Sequence, residues 1–266
     1  MQLTKSALSF LPKFGGDREN SLDNYLTEGF ANIDGWLHEP ALQVTLAIGR
    51  IQAAQMAPGP VCEIGVWQGR YLALLSFLGK TAQPIIGVDM FTHVPDRDMQ
   101  IGRLYKNINA FFRRPQSVRI IQKNSRDVSA EELISAGGGK FNFISVDGDH
   151  TMPGCLHDLK LATRIAASGG VVAVDDIFNP TCPGVIEAVM RYCIEPTAAL
   201  APFAIVGNKL FMTQAGHCES YRQGILNQCA AGELGASSRP ILDFEAQMQV
   251  LQIGVDFMGQ KVLVHP

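Results

Sequence analysis

Four acidic stretches fall where chemistry could gather. Asp147-Gly148-Asp149-His150 follows the apolar run 141–146, and Asp175-Asp176 follows the run 171–174. Glu63 sits inside the run 61–66, and Asp89 stands near the end of 84–90. If these runs are neighbouring strands, Asp147, Asp175 and Asp176 come close together. Unpaired carboxylates held close repel and raise each other's pKa. A divalent cation relieves that repulsion, and all-oxygen ligation suits Mg²⁺, Mn²⁺ or Ca²⁺. Zinc is disfavoured, since no Cys/His set converges in the sequence. Asp149 and Asp176 also have the composition of helix N-caps, a competing role. His150 stands three residues after Asp147. Its side chain titrates near neutrality and can take a proton from a hydroxyl group. A metal beside that hydroxyl would lower its pKa further. His157 reads as a packing or loop residue.

The elements that must position these groups start at Val61-Cys62-Glu63-Ile64-Gly65-Val66-Trp67-Gln68-Gly69-Arg70, a buried strand, a glycine turn and a helix start. Glycine allows positive φ and close approach of a ligand to the backbone. The free N–H groups and the helix dipole then face whatever lies above the turn. The pattern is Glu63-x-Gly65-x-x-x-Gly69, without the Gly-x-Gly-x-x-Gly of dinucleotide sites. Asp89 lies 24 positions after Gly65, at the end of the second run, where an acid suits two ribose hydroxyls. Phe91 fits adenine or the core equally. Asn124-Ser125-Arg126, after the third run, is the expected adenine neighbourhood.

From residue 60 the chain alternates strand and helix. Strands are expected at 61–66, 84–90, 117–122, 141–146 and 171–174, with helices near 69–79, 98–113, 130–137, 153–168 and 183–194. The strands are near-continuous apolar runs, as in a parallel sheet covered on both faces. Runs 203–206 and 210–213 then flank Gly207-Asn208-Lys209 as a hairpin. The expected fold is α/β: a doubly wound, Rossmann-like, seven-stranded sheet with a terminal antiparallel hairpin. N-terminal helices occupy 1–59, the main domain 60–214, and a C-terminal extension 215–266. In the first segment, Leu22, Tyr25, Leu26, Phe30 and Ile33 recur at helical spacing, as do Leu42, Leu46, Ile48 and Ile51. Gly15-Gly16 marks a loose arm, and Trp36, Leu37 and His38 are assigned to core or interface. In the extension, 221–230 is helical, 244–251 is helix or strand, and 255–264 is strand–turn–strand around Gly259.

Composition excludes several classes. The 266 residues carry a net charge of −3, without the basic field of a nucleic-acid protein. No apolar run nears the roughly 20 residues of a membrane span, and the start lacks a signal-peptide pattern. The six cysteines form no C-x-x-C pair and read as reduced, packed thiols of a cytoplasmic protein. The two extensions leave room for a homo-oligomer.

The Glu63–Gly69 stretch resembles motif I of the class I S-adenosylmethionine (SAM) methyltransferases. The succession Val146-Asp147-Gly148-Asp149-His150-Thr151, Asp158-Leu159, Gly169-Gly170-Val171-Val172-Ala173-Val174-Asp175-Asp176 and Gly184-Val185 is similar to their macrocin O-methyltransferase-like group. The likeness spans residues 60–213. It implies SAM bound by Glu63, Gly65, Trp67, Gly69, Asp89, Ser125 and Asp147. It also implies a Mg²⁺-type ion on Asp147, Asp175 and Asp176, with His150 as base toward the hydroxyl of a sugar or other natural product. Met152 or Pro153 replaces the usual aromatic of that group, and Cys155 the usual valine. A NAD-dependent oxidoreductase would share the glycine turn and Asp89 but leaves the acids and hairpin unexplained. Two more rivals are a non-catalytic SAM-binding protein, against which the intact acids and His150 speak, and a methyltransferase that works without metal.

Overall fold

The computed structural model describes residues 19–78, 83–92 and 96–266; the Gly15-Gly16 arm lies outside them. The described chain opens with a helical stretch in three parts, α1 (Leu22–Asn24), a π-turn (Tyr25–Gly29) and α2 (Phe30–Asn32). Then come α3 (Glu39–Gln55), β1 (Val61–Ile64), α4 (Arg70–Leu75), β2 (Ile85–Val88), α5 (Arg97–Phe111) and β3 (Val118–Ile121). The alternation continues through α6 (Ala130–Gly137), β4 (Phe141–Val146), α7 (Met152–Ile165), β5 (Ala166–Val174) and α8 (Pro183–Cys193). The hairpin β6 (Ala201–Val206) and β7 (Lys209–Thr213) precedes α9 (Cys218–Ala230), α10 (Ser238–Leu251), and the short strands β8 (Asp256–Phe257), β9 (Gln260–Lys261) and β10 (Leu263–Val264).

The sheet order is β10-β6-β7-β5-β4-β1-β2-β3. Strands β3, β2, β1, β4 and β5 run parallel, and β7 enters antiparallel between β5 and β6. The hairpin turns at Gly207 and Asn208, both at positive φ, as a two-residue hairpin loop requires. The seven expected strands are present, and the tail supplies an eighth. Leu263 and Val264 pair in parallel with Ala204 and Ile205.

Side chains on the central strands alternate between two cores. Val61, Phe143, Val171 and Ala173 face a core shared with α3, α4, α5 and α9. Cys62, Ile144, Val172 and Val174 face the other, shared with α6, α7 and α8. Each strand is therefore buried on both faces, which is why its sequence reads as unbroken apolar residues rather than alternation. The first segment and the extension join the first core together. Gln228 on α9 donates to the Ala47 carbonyl of α3 at 3.1 Å, and Tyr221 stacks on Phe203 with centroids 5.1 Å apart. The ambiguous run 244–251 is helix, part of α10. Among the described residues, no helix is long and apolar enough to cross a membrane.

Candidate active site

Register brings the strand ends level. Ile64 pairs with Val88 and Val146, and Val146 with Val174, so Gly65, Asp89, Asp147 and Asp175 emerge at one edge. Backbone bonds carry the ladder one residue further: Gly65 N to Val88 O, Asp147 N to Ile64 O and Asp175 N to Val146 O, at 2.8–3.0 Å. Gly65 must be glycine. Its φ is +88°, and an added Cβ would lie 1.8 Å from the Asp147 carbonyl oxygen. Gly69, at φ +82°, caps α4 beneath Leu104 and Phe112.

Asp89 does something the sequence did not announce. Its Oδ2 accepts the Val66 and Trp67 N–H groups, both at 2.9 Å, and its Oδ1 accepts the Phe91 N–H at 2.8 Å. The acid expected for ribose thus also clamps the glycine turn, including Trp67 at its unusual φ of 49°. Phe91 is fully buried and belongs to the core. Glu63 lies under the turn, 2% exposed, and accepts the Leu72 N–H at the start of α4. Burial pushes its pKa well up, Asp147 adds to that, and Lys209 opposes it. Its Oε2 has no hydrogen-bond partner among the described residues.

At the other strand ends the carboxylates meet side chains instead. His150 Nε2 lies 3.2 Å from Asp147 Oδ1. Its Nδ1 lies 3.2 Å from Cys182 Sγ and 3.6 Å from Asp176 Oδ2. Burial and then Asp175 push the Asp147 carboxyl up to about 7, with His150 and Lys209 opposing. Asp147 in turn raises His150 above the usual histidine value against the effect of burial. Asp175 Oδ2 lies 2.5 Å from Nζ of Lys209, which is 1% exposed. Burial disfavours the lysine charge, but Asp175 and Asp147 overcome it and raise the lysine pKa. The same ammonium stands 4.3 Å from the Tyr71 ring centroid.

Several expectations change here. The three acids do not form the grouping whose ligand atoms converge; among the described residues that is His150, Asp176 and Cys182, all within 4.8 Å of one another. Asp175 is occupied by Lys209 instead. Asp149 and Asp176 are not helix caps. Thr151 caps α7. Asp149 accepts the Thr151 N–H and pairs with Arg126. Asp176, at φ 60°, accepts the side-chain amides of Asn179 and Asn208. Ser125 lies beside the buried Asp158 carboxyl, whose pKa burial raises and whose hydrogen bonds with Ser125 and His157 oppose the rise. Trp36 is 84% exposed, which removes the core half of its core-or-interface assignment. Cys182 and Lys209 were missed. Cys182 just precedes Pro183-Gly184 at a helix start, a signal for position but not for partner. Lys209 read as a turn residue, although it opens β7 with its side chain turned inward.

The comparisons agree with this architecture. Residues 62–177 match the family model described as a methyltransferase domain. No curated protein matches the sequence closely. Among solved structures, the O-methyltransferase NovP aligns at 18% identity over 65% of this chain and 80% of its own, with a TM-score of 0.52. Cofactor-bound Rv0187 from MTB aligns at 16% identity over 71% and 86%, with a TM-score of 0.50. Apo CalS11, a TDP-rhamnose 3'-O-methyltransferase of calicheamicin biosynthesis, aligns at 20% over 66% and 78%, with a TM-score of 0.48. The fold is the Rossmann-like fold of class I methyltransferases. The match to a methyltransferase domain covers residues 62–177, the stretch from β1 to just past β5.

Proposed function

We propose that this chain transfers a methyl group from SAM to a hydroxyl oxygen of a small molecule, a sugar or other natural product, with His150 taking the hydroxyl proton. The observation that carries this reading is His150 itself, open to solvent at the strand ends and oriented by Asp147 through Nε2. The description of NovP as an O-methyltransferase supports the same reaction class.

The residues present fit SAM. The unpartnered Oε2 of Glu63 suits a bond from the SAM ammonium, directly or through a water. Asp89 fixes the turn that the donor would lie against, and the lone pairs left after its three N–H bonds would serve the ribose hydroxyls expected of an acid there. When bound, SAM supplies an activated methyl on a positively charged sulfur. The chain's own part is orientation and proton transfer. With Nε2–H donating to Asp147, Nδ1 carries the lone pair that accepts the acceptor's proton. Close, in-line placement of the acceptor oxygen accounts for the remaining acceleration.

The three-acid Mg²⁺ site does not fit as these carboxylates stand. Lys209 already neutralises Asp175, and Asp147 faces His150. No step here runs through an oxygen-ligated ion.

The test is calorimetric titration with S-adenosylhomocysteine, followed by methyl-transfer assays on hydroxylated sugars and diols. His150→Ala should leave S-adenosylhomocysteine affinity unchanged and cut turnover about 10²–10⁴-fold. Unchanged turnover removes His150 from the mechanism. Failure of the wild-type protein to bind S-adenosylhomocysteine removes the reading as a whole.

A further inference from the structure

We propose that His150, Asp176 and Cys182 form a binding site for a borderline-soft divalent cation of the Zn²⁺ type, in place of an oxygen-ligated ion on the three acids.

The two separations from His150 Nδ1 are close to those of a coordination shell. With Zn–N near 2.0–2.1 Å and Zn–S near 2.3 Å, tetrahedral ligand atoms stand roughly 3.3–3.6 Å apart. His150 Nδ1 lies 3.2 Å from Cys182 Sγ and 3.6 Å from Asp176 Oδ2, and all three ligand atoms lie within 4.8 Å of one another. One nitrogen, one carboxylate oxygen and one sulfur are a donor set for Zn²⁺ or Co²⁺; Mg²⁺ and Ca²⁺ seek oxygen. Three protein ligands leave a fourth position for water.

The residues behind the ligands are also those of a built site. Metal-bound histidine usually donates its other ring nitrogen to a carboxylate, which fixes the ring. Asp147 Oδ1 occupies that place, 3.2 Å from Nε2. Asn179 and Asn208 both donate to Asp176 Oδ1, at 3.0 and 2.9 Å, and leave Oδ2 turned to the histidine. Lys209 removes Asp175 from competition. On ligation the Cys182 thiol gives up its proton to solvent and the sulfur bonds the ion.

An ion on Nδ1 occupies the lone pair that would accept the acceptor's proton, so Zn²⁺ would inhibit methyl transfer. That consequence rests on the proposed base role of His150; the ligation itself does not.

The experiment is Co²⁺ titration of the chelator-stripped protein, followed by absorption. The expected result is one Co²⁺ per chain with a thiolate-to-cobalt charge-transfer band in the near ultraviolet. Cys182→Ser should abolish the band, Cys193→Ser should leave it, and His150→Gln should weaken Co²⁺ binding at least tenfold. Absence of Co²⁺ binding, Co²⁺ bound without the band, or a band that survives Cys182→Ser overturns the site. Methyl transfer by a protein that binds no Co²⁺ would overturn the site and keep the functional reading. Thiolate-bound Co²⁺ in a protein that ignores S-adenosylhomocysteine would keep the site and overturn the functional reading.

Discussion

Asp89 and Asp147 leave the sheet from β2 and β4, the two neighbours of β1, and they meet opposite surroundings. Asp89 is filled by three backbone N–H groups of the glycine turn and its own loop. Asp147 faces side chains: His150 directly, Asp175 and Lys209 through space. Backbone donors cannot titrate or swing away, so the first carboxylate acts as a fastener. Side-chain partners can do both, so the second has a proton to trade. One sheet edge therefore offers a rigid half suited to a cofactor and a labile half suited to a reaction.

The sharpest way to break this contrast is to remove the charge that balances the labile half. Lys209→Met leaves Asp175 half-paired in a buried setting and should cost about 3–5 kcal/mol of stability, read by denaturant unfolding. A loss under 1 kcal/mol would mean that something else balances the acids. Asp89→Asn attacks the rigid half. An amide cannot accept at both ends, so one loop N–H loses its partner, at a cost of about 1–3 kcal/mol together with weaker S-adenosylhomocysteine binding. Intact binding would show that the turn holds its shape without the clamp.

Proton trade gives a third test. Asp147 titrates at about 7 when folded, above its usual 3.8, and His150 lies above its usual 6.5. Both folded values are raised. The stability they contribute is present at pH below the unfolded values and is lost as pH rises through the folded ones. Turnover needs Nδ1 free and should move the other way, rising with an apparent pKa above the usual histidine value that belongs to the pair rather than to either residue. Asp147→Asn should shift that inflection downward, toward an unpaired histidine. A flat profile from pH 6 to 8 would separate proton transfer from this pair. The smallest effect is expected at Arg126→Ala, which breaks the exposed 3.1 Å pair with Asp149 and should change stability by no more than about 1 kcal/mol.

Much of this was readable in sequence because parallel strands buried on both faces write themselves as solid apolar runs. Glycine punctuation at Gly65, Gly69 and Gly138 marked turns that do take positive φ. Ser129 caps α6 as its spacing with Glu132 predicts. What stayed hidden was set by tertiary approach. Cys182 and His150 are 32 residues apart and meet only because α7 and α8 start side by side. Lys209 looked like a turn residue because hairpin turns are polar; its inward direction depends on register with Val174 and the acid beyond it. The strand at Leu263–Val264 falls within the expected strand–turn–strand over 255–264, but its pairing with β6 is a tertiary contact that no local pattern announces.

That short strand has a consequence outside chemistry. Strand β6 is apolar and largely buried, and without a neighbour it would end the sheet with a row of open backbone donors and acceptors. Such an edge recruits strands from other molecules. Leu263, Val264 and the His265 N–H close part of it by pairing with Ala204 and Ile205. The tail thereby protects the protein against aggregation, and damage to these few residues would show first as lost solubility, while the distant strand ends still held their chemistry.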